Sequence, residues 1–326
     1  MRLLAPARRY RSLLATVAVG LLAASFAQAA AGGTLLAVSG DMPRFDRLTG
    51  QDSDGRMNFL PWDMGYFWST RDPSFFDSFG RRPIVSLTMG KDGREYLTPK
   101  QVARGVGDRH LLGVARAASN SGKNFFIRPY AEMNGHWNPY SAYNANGTRR
   151  NEAHSQSWFK QAFRRTYVIM HGGTRAEMSA KLRKLGLPGV DGGVPEMAVP
   201  RMTVIWNPQG FGSPDVPGNA AHAYWPGGRY VDMVANDLYS RTGRVMWEAN
   251  RALFNRYPNK PYAIGEWGLI GIDDPATVRR MAEFARTHNR VKLLVWYDGD
   301  RGETYNLSSK PNSLAAYRRY IVPLGR

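Results

Sequence analysis

Eight short apolar runs punctuate the chain, at residues 35–38, 64–68, 83–87, 125–128, 202–206, 231–235, 262–265 and 291–296. Most are continuous rather than alternating, which is how strands buried on both faces of a parallel sheet read. Helical spacing falls between them. In residues 101–119, Val102, Val106, Leu111, Leu112, Ala115 and Ala118 share one face. Trp158, Phe159, Ala162, Phe163, Val168 and Met170 mark the next helix, with Ser155 or Ser157 as its cap and Gly172 as its stop. A basic helix follows at 177–185, and Thr242 is positioned to cap one running to Phe254. Asp274-Pro275 opens another, acid first and proline at the first helical position, and 314–321 closes the chain. Residues 41–63 lack periodicity and read as a loop. Strands alternating with helices in this way predict an α/β fold, a single (β/α)8 TIM barrel.

The first residues stand apart. Arg2, Arg8, Arg9 and Arg11 precede an apolar stretch from Leu13 to Phe26 and the small-residue site Ala27-Gln28-Ala29. That is the pattern of a secretory signal peptide over 1–29, with 30–326 as the exported domain. The expected location is secreted or periplasmic, without stable membrane insertion after cleavage. The chain has no cysteine, so disulfides cannot brace it and the core must be sufficient alone. Its net charge is +18, and removing the signal's four arginines leaves +14. Such an excess suits an anionic polysaccharide or envelope through long-range steering. The basic residues are scattered and match no nucleic-acid-binding signature, so nucleic acid is not an expected partner, and a monomer is.

Two segments carry the candidate chemistry. In 125–137, an apolar run ends on Glu132 and passes into a turn containing Asn134, Gly135 and Trp137. In 261–268, another ends on Glu266, followed by Trp267-Gly268. Carboxylates at the ends of buried strands, beside aromatic side chains, can present an acid and a nucleophile to a sugar. Hydrolysis with retention needs two such groups about 5–5.5 Å apart. With 9 Trp and 16 Tyr, the chain has rings on which sugar faces can pack. Arg128 lies four residues before Glu132 and is the candidate cation beside the pair. Two insertions were also apparent: 138–157, expected on the active face, and 186–200, expected at the opposite end.

These motifs resemble those of glycoside hydrolase family 26, the β-mannanase family of clan A, over roughly residues 60–320. The resemblance implies that Glu132 is the general acid/base and Glu266 the nucleophile. It implies that Tyr239 contacts the nucleophile, and Asp237 in the same segment is a candidate to position loops or substrate. Trp206-Asn207-Pro208 resembles the family's turn after the fifth strand and puts Trp206 among the substrate-binding candidates, and Trp296 would floor the sugar site. Asn134 and Trp137 would meet substrate near the acid, and Trp68, in the second run, would either stack a sugar or fill the core. β-1,4-Mannan is the implied substrate, with an acidic exopolysaccharide or a non-catalytic glycan-binding barrel as alternatives. One position departs: the family has His before the acid, and this chain has Ala131. No cofactor is expected. The six histidines are dispersed without metal-ligand spacing, so no metal is expected either, and Gly105-Val106-Gly107 lacks the rest of a dinucleotide fingerprint.

Overall fold

The computed structural model describes residues 33–60, 62, 73–91, 94–190 and 201–325. The signal segment, the run at 64–68 and Trp68 lie outside the described residues. In chain order the elements are β1 (Leu35–Gly40), α1 (Met42–Thr49), β2 (Gly55–Leu60), β3 (Ile84–Leu87), and a hairpin of β4 (Gly90–Lys91) and β5 (Arg94–Glu95). Then come α2 (Pro99–Ala103), α3 (Asp108–Ser121), β6 (Phe125–Pro129), α4 (Gln156–Met170), α5 (Arg175–Arg183) and β7 (Met202–Trp206). The last are β8 (Met233–Ser240), α6 (Trp247–Arg256), β9 (Tyr262–Leu269), α7 (Pro275–Thr287), β10 (Val291–Gly299) and α8 (Pro311–Ala316).

Eight of the strands close into a barrel in the order β1-β10-β9-β8-β7-β6-β3-β2, each paired in parallel with its neighbours. The fold is therefore a (β/α)8 barrel. Two apolar layers fill it. Ala37, Met57, Ile84, Phe126, Ile205, Met233, Ala235, Ala263, Leu293 and Val295 pack together inside the cylinder. A larger layer, including Val38, Val204, Trp206, Trp267 and Trp296, packs between strands and helices. Because strand side chains alternate, each strand feeds both layers. Among the described residues, no helix is long and apolar enough to cross a membrane.

The barrel corrects three expectations. The described residues of 41–63 are not all loop: they supply α1 and the second barrel strand, β2. Helix α1 is short, capped by the Asp41 side chain, and buries only Phe45 and Thr49, too few for a visible period. In β2, Arg56, Asn58 and Phe59 are not fully buried, so the apolar run is broken. The helix at 101–119 is two helices, because Gly105 has φ +92°, in the left-handed region that ends a helix. Thr242 caps nothing; α6 begins at Trp247. Elsewhere the capping signals hold. Ser155 accepts from the Trp158 amide at the start of α4, and Asp274 accepts from that of Thr277 at the start of α7.

Helices α3 and α4 are clamped by an ion pair. Arg165, fully buried, donates to both carboxylate oxygens of Asp108, through Nε at 2.6 Å and through Nη2. It also donates to the carbonyls of Pro188 (2.8 Å) and Gly189 (3.0 Å). A buried guanidinium with this many acceptors fixes α3, α4 and the segment after α5 in one arrangement.

Candidate active site

The C-terminal ends of the barrel strands gather the acids. Arg128, near the end of β6, points into the barrel and is 1% exposed. Its Nη1 donates to Glu266 Oε1, its Nη2 to Asp237 Oδ2, and its Nε to Asn207 Oδ1 at 2.8 Å. One guanidinium thus joins β6, β7, β8 and β9. Burial works against its charge, but Asp237 and Glu266 outweigh that and hold its proton more firmly than usual. Gly265 is required here: a Cβ would lie 2.0 Å from Asn207 Oδ1 and 3.0 Å from Arg128 Nε.

Glu266 receives a second donor. The Tyr239 hydroxyl, at the end of β8, donates to Glu266 Oε2 at 2.6 Å. Burial, and then the negative charge of Glu266, raise the Tyr239 pKa well above the phenol range, so its hydroxyl remains a donor. With both oxygens taken by donors, the Glu266 carboxylate has the surroundings of an anion.

Glu132 lies just past β6, and its surroundings differ. Burial, and then the charge of Glu266, raise its pKa above the ordinary carboxylate range, against opposing pulls from Asp237, Arg128 and Trp137. Trp137 Nε1 donates to Glu132 Oε2 at 2.7 Å, and Gln209 Nε2 donates to Oε1. Asp237 is buried, and its pKa is pushed well above the usual range by burial, against the pull of Arg128. It faces Glu132, and its Oδ1 has no donor among the described residues. Glu132 and Asp237, both pushed toward the protonated form, thus lie with Glu266 around one guanidinium.

The turn that presents Glu132 is locked to the loop after β7. The Glu132 amide donates to the Asn207 carbonyl at 2.7 Å. Asn134 is fully buried: its Nδ2 donates to the carbonyls of Gln209 (2.9 Å) and Phe211 (3.0 Å), and its Oδ1 accepts from the Gln209 amide (2.8 Å). Asn134 is therefore a clamp that aims Gln209 at Glu132, not a group open to substrate. The insertion at 138–157 does reach this turn. Asn138 Nδ2 and the Tyr140 hydroxyl donate to the carbonyls of Glu132 (2.9 Å) and Ala131 (2.6 Å). His136 turns toward Ser213 Oγ, at 3.2 Å.

Of the aromatic candidates, Trp137 is 47% exposed beside Glu132 and can take a sugar face. Trp206 and Trp296 cannot, because both are 0% exposed and lie in the layer between strands and helices. Trp206 packs against Trp225 and Tyr257, and Trp296 against Phe45, Trp267 and Tyr317. Alternation sends their neighbours inward instead. Asn207 follows the inward Ile205 by two positions, and Tyr297 follows the inward Val295 by two. Burial, and then the Glu266 charge, push the Tyr297 pKa up to about 12, which puts this ring by the second acid. Asn207, Gln209 and Tyr297 were missed in the sequence. The turn Trp206-Asn207-Pro208-Gln209 and strand parity were the signals available. Among the described residues, no cluster of three or more acidic or histidine side chains is arranged to hold a metal ion.

No family model matches the chain. An Acetivibrio thermocellus protein described as endoglucanase H is 24% identical over 290 residues, covering 85% of this chain. The chain spans only 28% of that relative's length. The fold is shared with a Cellulomonas fimi endo-β-1,4-mannanase at a TM-score of 0.60, with 15% identity over 88% of this chain and 70% of that one. A Bacillus subtilis mannanase superposes at 0.56, with 16% identity over 89% and 86%. The family 26 domain of a Prevotella bryantii endo-β-mannanase/endo-β-glucanase superposes at 0.52, with 14% identity over 92% of each chain.

Proposed function

We propose that this chain is a glycoside hydrolase of the family 26 type, an endo-acting retaining enzyme that cleaves internal β-glycosidic bonds of a polysaccharide. The carrying observation is the contrast between the two glutamates. Glu266 is bonded by a guanidinium and a phenol. Glu132 sits where burial and a neighbouring negative charge favour its protonated form. A carboxyl group pushed toward its protonated form, beside one held by a guanidinium and a phenol, suits the general-acid and nucleophile roles. In the first step, Glu132 gives its proton to the departing glycosidic oxygen as Glu266 attacks the anomeric carbon, forming a glycosyl ester. In the second, Glu132 takes a proton from water, which attacks the same carbon and releases Glu266. Tyr239 and Arg128 bind Glu266 through both steps, and Trp137 offers a face to the leaving sugar.

β-1,4-Mannan is the substrate this reading favours, a β-glucan being the next to try. An acidic exopolysaccharide fits less well at the point of cleavage. There Arg128 is already paired with Asp237 and Glu266, so it offers a uronate no free cation. An exported monomer is part of the same reading. The test is reducing-sugar release from mannan, β-glucan and uronic-acid polymers, with Glu132→Ala and Glu266→Ala alongside. Each substitution is expected to cost several powers of ten in rate. Azide is expected to restore part of the Glu266→Ala activity on an activated aryl glycoside. Glycan binding without cleavage, unchanged by either substitution, would mean a binding barrel and not an enzyme.

A further inference from the structure

A second aromatic surface lies at the barrel mouth, on β2, β8 and β10 rather than after β6, the strand that leads to Trp137. Phe59 is 44% exposed, unusual for a phenylalanine on a barrel strand. It lies two positions after Met57, which packs inside the cylinder, so alternation turns its ring toward the mouth. It meets Tyr297 edge to face, centroids 6.3 Å apart. Tyr297 meets Tyr239 in the same way at 6.1 Å, and Tyr239 donates to Glu266. Tyr305 closes the group, 4.8 Å from Tyr297 and 5.8 Å from Tyr239. The tyrosines spend their edges on one another and on Glu266. Phe59 ends the series with an open face and no polar atom.

We propose that Phe59 is a sugar-stacking subsite on the nucleophile side of the cleavage point, taking the apolar face of a neutral β-linked hexose at least one ring beyond the sugar that Glu266 attacks. This rests on the glycosidase reading and extends it. The acid side has the platform of Trp137, and the nucleophile side has the platform of Phe59. A glycan held on both must run across the mouth, so the cut falls inside a chain. Phe59 carries no charge and no polar atom, and the Arg128 guanidinium is already paired with Asp237 and Glu266, so the sugar Phe59 holds is neutral.

The experiment is calorimetric titration of β-1,4-linked manno- and gluco-oligosaccharides, two to six units long, into the Glu266→Ala protein with Phe59 intact or replaced. Product lengths from polymer digestion by the otherwise wild-type chains are measured in parallel. Phe59→Ala and Phe59→Leu are expected to weaken the longer oligosaccharides roughly tenfold and the disaccharide less, with Phe59→Trp binding as well as Phe59. Leucine keeps the local apolar volume without a flat face, so binding restored by leucine would overturn the proposal. An equal loss at every length would overturn it too. Hydrolysis by the wild type with no length-dependent loss sinks the subsite and spares the enzyme. Length-dependent loss without hydrolysis does the reverse. No binding by any of these sugars refutes the subsite.

Discussion

Trp137→Phe isolates one term in the proton affinity of Glu132. Phenylalanine keeps a ring that a sugar can pack on but removes the indole N–H, which donates to Glu132 Oε2 at 2.7 Å. That donor favours the ionised carboxylate and works against the burial and the Glu266 charge that raise the Glu132 pKa. Removing it lets Glu132 hold its proton to higher pH. A hydrogen bond to a charged group is worth about 1.5–3 kcal/mol, and because Trp137 is 47% exposed, water screens it, so we take about 1 kcal/mol. At 1.36 kcal/mol per pH unit this is a shift of roughly 0.7. The assay is the pH profile of kcat/KM, which reports the free enzyme. The substrate must be an oligosaccharide, whose poor leaving group needs the acid. The alkaline limb is expected to move upward by about that amount while the acidic limb stays in place. KM can change through altered stacking without moving either limb. An alkaline limb that stays, or moves down, refutes Glu132 as the acid under Trp137 control.

Tyr239→Phe removes a donor that reaches Glu266 at 2.6 Å. It is expected to lower kcat by roughly tenfold to a hundredfold, less than loss of Glu266 itself, with melting temperature nearly unchanged. Arg165→Leu leaves Asp108 buried without its cation and two carbonyls without a donor. Urea denaturation is expected to show a loss of about 3–5 kcal/mol, and a loss below 1 kcal/mol would mean the clamp is not structural.

The barrel and the two glutamates could be read in the sequence because both depend on continuous apolar runs, and such runs survive in any strand buried on both faces. Strand β2 has no such run, since Phe59 faces the open mouth rather than a core. The errors at Trp206 and Trp296 are errors of parity. Each residue stands at the correct end of the correct strand, one position from the residue that faces inward. A tryptophan next to a carboxylate looks like a sugar platform, yet a barrel needs its largest rings between strands and helices. Gln209 and Asn134 could not have been found by period, because they are matched to each other across two loops 75 residues apart. Arg128 was anticipated, although strand alternation does not carry from it to Glu132. Strand β6 ends at Pro129, and the backbone leaves extended geometry before Glu132.

That departure explains why the acid sits where it does. Tyr130 and Glu132 have φ of 56° and 54°, values that side chains other than glycine rarely adopt, at a cost of about 1–3 kcal/mol each. Glycine at either position would ease the backbone and remove the function: the Tyr130 ring fills the core and bonds Thr166 at 2.8 Å, and Glu132 carries the carboxyl. The surroundings therefore have to hold the strained conformation. The Tyr130 amide donates to Leu87 and the Glu132 amide to Asn207, while Asn138 and Tyr140 bind the carbonyls of Glu132 and Ala131. Contacts from β3, the loop after β7 and the insertion at 138–157 all converge on three residues. An ordinary strand continuation would carry residue 132 outward along the β6 axis. Two left-handed residues turn it back across the barrel mouth, where Trp137 and Gln209 fix its oxygens and Asp237 meets it. The strain is thus the means by which the proposed acid, from one strand, is brought into the same electrostatic set as the proposed nucleophile from another.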